Sequence, residues 1–549
     1  MKNNIKGILI SLLLFSSLSA MGQSYMASPR VRESMSYNSN ALNLYTSKIK
    51  QALYFIYNGY VDSVKLDELA QTAVTKMIQE LDPHSTYISA KEIKEMEEPL
   101  LGKFEGIGVE YAIIADTLTI QSVILGGPSD KVGLKAGDKI NRVNGEVISG
   151  ADLTATKAIK YLRGPKGSKV SIGYIRRGEP EREVVITRDV ISTNTVDCAY
   201  QISDGILYTR ISRFGAQTYQ ELMSAVYRFQ GQNELKGLIL DLRGNGGGYL
   251  SAAQKIVNEF LNRGELILYI EGRSIKRVND IADGTGRLKN INVAVLIDEG
   301  SASASEIVAG AIQDWDRGVI IGRRSFGKGL VQQQYPLADG SAIRVTIARY
   351  HTPSGRVIQS PYSKGNSTEY YQNVMRRYLS DERFNKDSIK VNDSLKFKTL
   401  RLKRDVYGGG GIIPDIFIPL DTSYYSNSYI KSVNSGNLSE FVGIWADNHR
   451  EEYTKKYGTF AGDSYTKGLV FDKFCNDFVV TKEYLDSFLQ YCSTKDNKYT
   501  QEDLEKSKDV IISNLKGLII RNLYGLDYYL RYINKTDKEV LTAVEELTK

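Results

Sequence analysis

Residues 237–248 read Gly-Leu-Ile-Leu-Asp-Leu-Arg-Gly-Asn-Gly-Gly-Gly, and the fold is decided there. Gly237 to Leu240 is a short apolar run of the kind that forms a strand buried on both faces, and it ends in a glycine loop. Ser251 to Leu261 then puts Ala253, Ile256, Val257 and Phe260 on one face of a helix. Val293 to Ile297 predicts a second strand. A helix from about Ser303 to Trp315 follows, with Ile307, Val308, Ala311, Ile312 and Trp315 in one stripe. Strand–helix alternation of this kind over residues 200–360 argues an α/β layer. A glycine loop between such elements lets backbone N–H groups approach a bound oxygen, with the positive end of a helix turned toward it. Taken alone, the loop fits an oxyanion site, a phosphate site or a structural turn.

The chain has 549 residues, too many for one core; about 100–200 residues per domain gives roughly three to five units. Apolar residues at 42% and charged residues at 25% exclude wholesale disorder and a fibrous repeat. A net charge of +7 without any long Lys/Arg block gives no reason to expect a nucleic-acid partner. Lys2 and Lys6, the apolar run Gly7 to Phe15 and the small residues Ser16 to Gly22 predict an export signal over 1–22, cleaved after Ala20 or Gly22. That run is shorter than the ~20 apolar residues of a spanning helix, which disfavours an uncleaved anchor. Cys198, Cys475 and Cys492 allow one disulfide at most, Cys475 with Cys492 being a candidate pair. With His84, His351 and His449 they show no metal-ligand spacing.

Residues 24–100 predict a helical domain in which two helices pair as a small bundle. Leu42, Tyr45, Ile49, Leu53 and Ile56 form one stripe, and Leu66, Leu69, Ala73, Val74, Met77 and Ile78 form another before Asp82-Pro83. From 101 to 190 short alternating strands are punctuated by glycine, notably Gly106-Ile107-Gly108-Val109, with a helix at Leu153 to Leu162. A hairpin closes that segment, Val170, Ile172 and Tyr174 answering Val184 and Ile186. Residues 191–424 carry the α/β core, interrupted by a polar insertion at 361–405. From 425 to 549 the chain is helical again, its best stripe being Leu504, Ile511, Leu515, Leu518 and Ile519. The aromatic series Phe471, Phe474, Phe478, Tyr484 and Phe488 fits a core of its own, a dimer surface or an adaptor site, core packing being the plainest.

Two further stretches carry chemistry. In Gly300-Ser301-Ala302-Ser303-Ala304-Ser305-Glu306, the pattern Ser303-x-x-Glu306 matches a helix capping box. The same geometry would let a serine at a helix N-terminus attack a carbonyl while the Ala304 N–H binds the oxyanion. In Ser325-Phe326-Gly327-Lys328-Gly329-Leu330-Val331-Gln332, a neutral Lys328 could take the serine proton, with Gln332 orienting it without adding charge. Bringing a lysine from about 10.4 to about 7 costs roughly 4 to 5 kcal/mol, which burial would have to impose. An acidic neighbour would work against it. His351 is the competing base, ranked second because no local pattern ties it to a serine or an acid.

Joined with Tyr350-His351-Thr352-Pro353-Ser354-Gly355, these stretches resemble in order and spacing the carboxyl-terminal processing peptidases, also called tail-specific proteases. Leu81-Asp82-Pro83-His84-Ser85 looks like that family's N-terminal motif, and Gly408 to Asp415 like its return strand. The resemblance implies a multidomain α/β protein: a crotonase/ClpP-like peptidase core, an inserted PDZ domain over 101–190, an N-terminal helical segment and a C-terminal helical domain. It implies Ser303 as nucleophile, Lys328, 25 residues later, as base and Gln332 as support. The oxyanion donors it implies are the backbone of Ala304 and of Gly246 or Gly247. In the PDZ segment, Gly106, Ile107, Gly108 and Val109 would receive a peptide's terminal carboxylate. Ala155, Ile159 and Leu162 would line the pocket, and Arg163 would gate. At His351 the family more often has tyrosine, a departure that weakens His351 as a base. The expectation is an exported serine endopeptidase of the bacterial envelope, in the periplasm. It would act on proteins with exposed C-terminal tails, without metal or cofactor, and without a stable membrane span once the signal is removed. The C-terminal helices would offer a surface for self-association. The alternatives are a non-catalytic PDZ adaptor and a crotonase-type acyl-thioester enzyme.

Overall fold

The structure is a computed structural model that describes residues 39–124, 126–457 and 464–549; the export signal expected over 1–22 lies outside them. Its centre is a six-stranded sheet in which Val196–Ser203, Ile206–Ile211, Gly237–Asp241, Asn292–Ile297, Val319–Gly322 and Ile416–Phe417 pair in that order. The first pair is antiparallel and the others parallel. Gly237–Asp241 is buried along its whole length because both faces are covered. Leu238 and Leu240 join one core with the helices Thr218–Gln230, Leu250–Asn258 and Ala304–Asp314. Ile239 points the other way, into a second core with Leu530, Val540, Ala543 and Leu547. Those four residues belong to the last two helices, Leu526–Ile533 and Lys538–Thr548. These helices therefore cover the central sheet, while Tyr528 of the first of them also joins the C-terminal helical core.

Ala304–Asp314 is buried on every face, not along the single stripe its sequence suggested. It is held between the central sheet and a second, antiparallel sheet, to which Leu268, Ile270, Ala348 and Tyr350 contribute core residues. In that second sheet Ala342–His351 pairs with Leu330–Pro336, Thr86–Ile88 and Leu266–Glu271, and the last pairs with Val278–Ile281.

The strand Thr86–Ile88 corrects the N-terminal expectation. The described part of this region holds three helices, Ser39–Gly59, Leu66–Gln79 and Ala90–Leu101, and lends a strand to the second sheet. The first helix does not form a bundle: Leu42 is 70% exposed and Tyr45 61%, and Ile49 and Ile56 are exposed too. Its helical period was legible, but among the described residues nothing covers most of the stripe.

Residues 109–187 form a sheet in the order Val109–Ile114, Thr117–Val123, Lys139–Val143, Lys169–Ile175, Arg182–Thr187, with the helix Ala155–Leu162 against it. The hairpin pairs Val170 with Ile186 and Ile172 with Val184. Lys103–Gly106 and Asp189–Ser192 pair as a two-stranded neck. The unit docks on the helix Asn437–Tyr457: Lys139 meets Asp447 at 2.8 Å, and Arg177 donates to the Asp447 and Asn448 carbonyls. At Gly443 a Cβ would lie 2.7 Å from Ile114 Cδ1, so glycine permits the close approach.

The 361–405 insertion is ordered, with a helix Ser367–Leu379 and a strand Lys396–Lys398 paired to Asp405–Tyr407. The return strand falls at Ile416–Phe417, directly after the expected Gly408 to Asp415, and that stretch is itself a loop with Gly409 and Gly411 at positive φ. Phe471, Phe474, Phe478 and Phe488 are buried in a helical core of their own. All three cysteines are free, so the candidate pair Cys475–Cys492 does not form. Asp447→Ala removes a partly exposed ion pair of about 0–1 kcal/mol, so the main thermal transition should barely move while amide exchange in Lys139–Val143 accelerates.

Candidate active site

Three serines precede the central helix, and their hydrogen bonds separate them. Ser301 Oγ donates to the Leu242 carbonyl at 2.8 Å and Ser305 Oγ to the Asn245 carbonyl at 2.8 Å; both are fully buried and fasten the helix entry to the glycine loop. Ser303 sits between them at φ 55°, ψ −111°, a backbone conformation that L-residues rarely adopt and that costs of order 1–3 kcal/mol. Its hydroxyl is tied to neither loop. The next residue, Ala304, begins the helix, and its N–H has no acceptor among the described residues.

Opposite Ser303 lies the glycine loop. A Cβ on Gly247 would fall 2.8 Å from both Ser303 Cβ and the Ala302 carbonyl oxygen, so only glycine allows this contact. The Gly247 N–H is taken by Asn245 Oδ1 at 2.9 Å, whereas the Gly246 N–H has no acceptor among the described residues. Asn245 is wholly buried, and its carbonyl accepts from Ala302 N–H at 3.0 Å. Sequence reasoning passed over it, since only its contacts distinguish it from another loop residue. Behind the loop, burial alone would push Asp241 up, but Arg243 and Arg210 hold its carboxyl down at about 2. Arg243 also reaches Asp537 at 2.8 Å, tying the loop to the last helix.

Glu306 does more than cap. Its Oε2 accepts the N–H of Ser303 at 2.8 Å and of Lys328 at 2.9 Å; its Oε1 accepts the Ser325 hydroxyl at 2.6 Å and the Gly327 N–H at 2.7 Å. Burial pushes this carboxyl up to about 7 and the four donors pull against it. Two donors already face each oxygen, so an added proton would have to point at a donor, and the geometry is that of the carboxylate. The Tyr350 hydroxyl donates on the far side to the Ser303 carbonyl at 3.2 Å and to that of Lys328.

The backbones of Ser303 and Lys328 are thereby neighbours. The Lys328 amine donates to Gln332 Oε1 at 3.0 Å, and no hydrogen bond joins it to Ser303 Oγ in this conformation. Burial lowers the Lys328 pKa and the nearby Arg344 charge lowers it further; Asp82 and Glu306 pull upward without reversing the shift. The amine faces a polar cavity of about 440 Å³ lined by Asp82, His84, Gln332, Arg344 and Tyr371, among others. Burial and the Lys328 charge bring His84 down to about 4.

His351 is elsewhere in function: it stacks on Tyr269 at 4.3 Å, and its Nδ1 lies 3.2 Å from the Gly355 carbonyl. Arg163 pairs with Glu98 and lies over the Phe104 ring at 4.6 Å, at the neck instead of the catalytic centre. Gly106 forms a bridge to Arg163, Ile107 is buried, Gly108 has φ 79°, and Val109 opens the sheet's edge strand. Across the groove Ala155 and Ile159 are exposed while Leu162 is buried, and Tyr111 OH reaches the Ala155 carbonyl at 3.5 Å. Among the described residues, no group of three or more His, Cys, Asp or Glu could hold a metal, and no helix is long and apolar enough to cross a membrane.

Residues 205–364 match peptidase family S41, 119–176 match the PDZ domain, and 428–525 match a family of unknown function, DUF8443. The chain is 38% identical over 308 residues to a carboxy-terminal-processing protease of Bartonella bacilliformis, covering 55% of this chain and 69% of that one. It is 30% identical over 365 residues to a probable CtpA-like serine protease of Staphylococcus aureus, covering 66% and 72%. A solved photosystem II D1 C-terminal processing protease aligns at 25% identity with a TM-score of 0.34, covering 68% of this chain and 87% of that one.

Arg344 is the charged neighbour that favours a neutral Lys328, so Arg344→Gln should raise the lysine pKa. The acidic limb of a kcat/KM–pH profile should move to higher pH.

Proposed function

The chain belongs to peptidase family S41, a serine peptidase with a PDZ domain, and on that premise we propose an exported endopeptidase that processes C-terminal tails with Ser303 and Lys328. The carrying observation is the division of labour among the serines: Ser301 and Ser305 are spent on the glycine loop, and Ser303 stands strained beside an open N–H. Neutral Lys328 takes the Ser303 proton as Oγ attacks the scissile carbonyl. The oxyanion settles on the N–H groups of Ala304 and Gly246, Gly247 supplying the close approach. Lys328 then protonates the leaving amine; water, deprotonated in turn by Lys328, attacks the acyl-enzyme, and Lys328 returns that proton to Ser303 Oγ as the acyl bond breaks. Such acyl transfer needs neither metal nor organic cofactor.

The substrate tail adds to the edge strand Val109–Ile114, displacing Tyr111 OH from the Ala155 carbonyl, with its carboxylate at Gly106–Val109 and its last side chain toward Ala155, Ile159 and Leu162. The expected signal over 1–22 supports export to the envelope, in the periplasm.

Ser303→Ala and Lys328→Ala should each lower cleavage of a tail-exposed protein by ~10³-fold or more while keeping the thermal midpoint. A serine-reactive probe should label the wild type and not Ser303→Ala. Full activity in Lys328→Ala would remove the base assignment. N-terminal sequencing of protein from the envelope fraction should begin near residue 21 or 23, and an intact leader there would refute cleavage.

A further inference from the structure

The Gln332 side chain has two jobs and two partners. Its Oε1 accepts from Lys328 Nζ at 3.0 Å and its Nε2 donates to the His84 carbonyl at 2.6 Å. A primary amide can flip, and the flipped form would set NH₂ against an amine and a carbonyl against a carbonyl. The His84 carbonyl is therefore what selects the useful orientation. With Oε1 holding one N–H of the neutral amine, its lone pair is left for the serine proton.

That carbonyl is fixed by its own turn. Asp82 Oδ1 accepts the N–H groups of His84 and Ser85, each at 2.8 Å, and Asp82 Oδ2 accepts Ser85 Oγ at 2.6 Å. Ser85 Oγ in turn accepts the Thr346 N–H at 3.0 Å, and Thr346 is the cross-strand partner of Gln332. Tyr371 from the insertion helix donates to the Pro83 carbonyl at 2.9 Å. Asp82 and Ser85 are both buried, so these bonds are shielded from water.

We propose that the turn Asp82–Ser85 is a positioning element of the catalytic base, fixing Gln332 through the His84 carbonyl and, through Gln332, the Lys328 amine. The proposal rests on Lys328 acting as the base. It makes a segment 248 residues away in sequence part of the catalytic machinery without touching substrate. The Asp82 charge, meanwhile, opposes the task. The charged or titratable groups near Lys328 are Asp82 and His84 on the turn, Tyr87 on the strand after it, Arg344 on the facing strand, Tyr371 on the insertion helix and Glu306 on the central helix. Of these Asp82 and Glu306 favour the protonated amine. Shape and charge can therefore be separated.

The test is a double-mutant cycle on the full chain, read as kcat and KM for a tail-exposed substrate. Asp82→Ala and Gln332→Ala should each lower kcat ~10- to 100-fold with KM within about twofold, and the double variant should be no worse than Gln332→Ala alone. Asp82→Asn keeps an acceptor for the turn while losing the charge. It should lower kcat less than Asp82→Ala does and move the acidic limb of the profile to lower pH, opposite to Arg344→Gln. Ser85→Ala, which removes only the Ser85 hydroxyl contacts, guards against a misfolded Asp82→Ala and should lower kcat in the same direction. Multiplicative losses in the double variant, or a loss confined to KM, would overturn the proposal. Lys328→Ala tells the two failures apart: an inactive Lys328→Ala beside a multiplicative cycle defeats only the positioning role, whereas an active one defeats the base itself.

Discussion

A carboxylate with no exposed surface stands where two segments must meet. Glu306 takes the backbone N–H groups of Ser303, Gly327 and Lys328 and the hydroxyl of Ser325, so a first-turn residue of the central helix organises the loop 22 residues downstream. Burying such a charge is expensive unless its acceptor sites are filled, and here they are. Each hydrogen bond to a charged group is worth about 1.5–3 kcal/mol, so the four together oppose the cost of burial, and one of them holds the Ser303 N–H at the strained turn. The helix N-terminus adds a favourable dipole. The proposed nucleophile Ser303 and the proposed base Lys328 are thus made neighbours through their backbones.

The lysine is governed by a balance, not by dryness alone. Two carboxylates near the amine pull its pKa up, yet burial and the Arg344 charge leave it below the ordinary lysine value. Glu306 spends its field on four donors, and Asp82 is committed to its turn. Arg344 comes from the strand residue opposite Thr86, so the same pairing that brings Asp82 near also brings the charge that compensates it.

The α/β layer was legible because its strands are short, apolar and followed by glycine, and the spacing of Ser303 and Lys328 was legible through family resemblance. Register and partner choice were not. Thr86–Ile88 is three residues of no distinctive pattern, and only the strand Ala342–His351 gives them a place. The all-round burial of Ala304–Asp314 was hidden because Ala309, Gly310 and Gln313 do not announce a second covering layer. Glu306 read as a cap, since a three-residue spacing cannot reveal bonds made across 21 or 22 residues. The last two helices looked like more of the C-terminal bundle because amphipathic period says which face is apolar and not what will cover it.

That last point bears on how the catalytic loop is held. Arg243, one residue before the glycine turn, is shared between Asp241 beneath it and Asp537 at the start of the last helix, while Arg323 pairs with Glu299 and with Glu539, two residues after Asp537. Asp537 also caps that helix through Val540 N–H at 3.0 Å. Val540, Ala543 and Leu547 are then pressed onto the back of the strands that lead into both catalytic loops. The front of the site is closed by the N-terminal turn and the back by the C-terminal helix, so the catalytic geometry belongs to both ends of the chain. The S41 match at 205–364 contains the proposed reacting groups, and segments outside it pack around them.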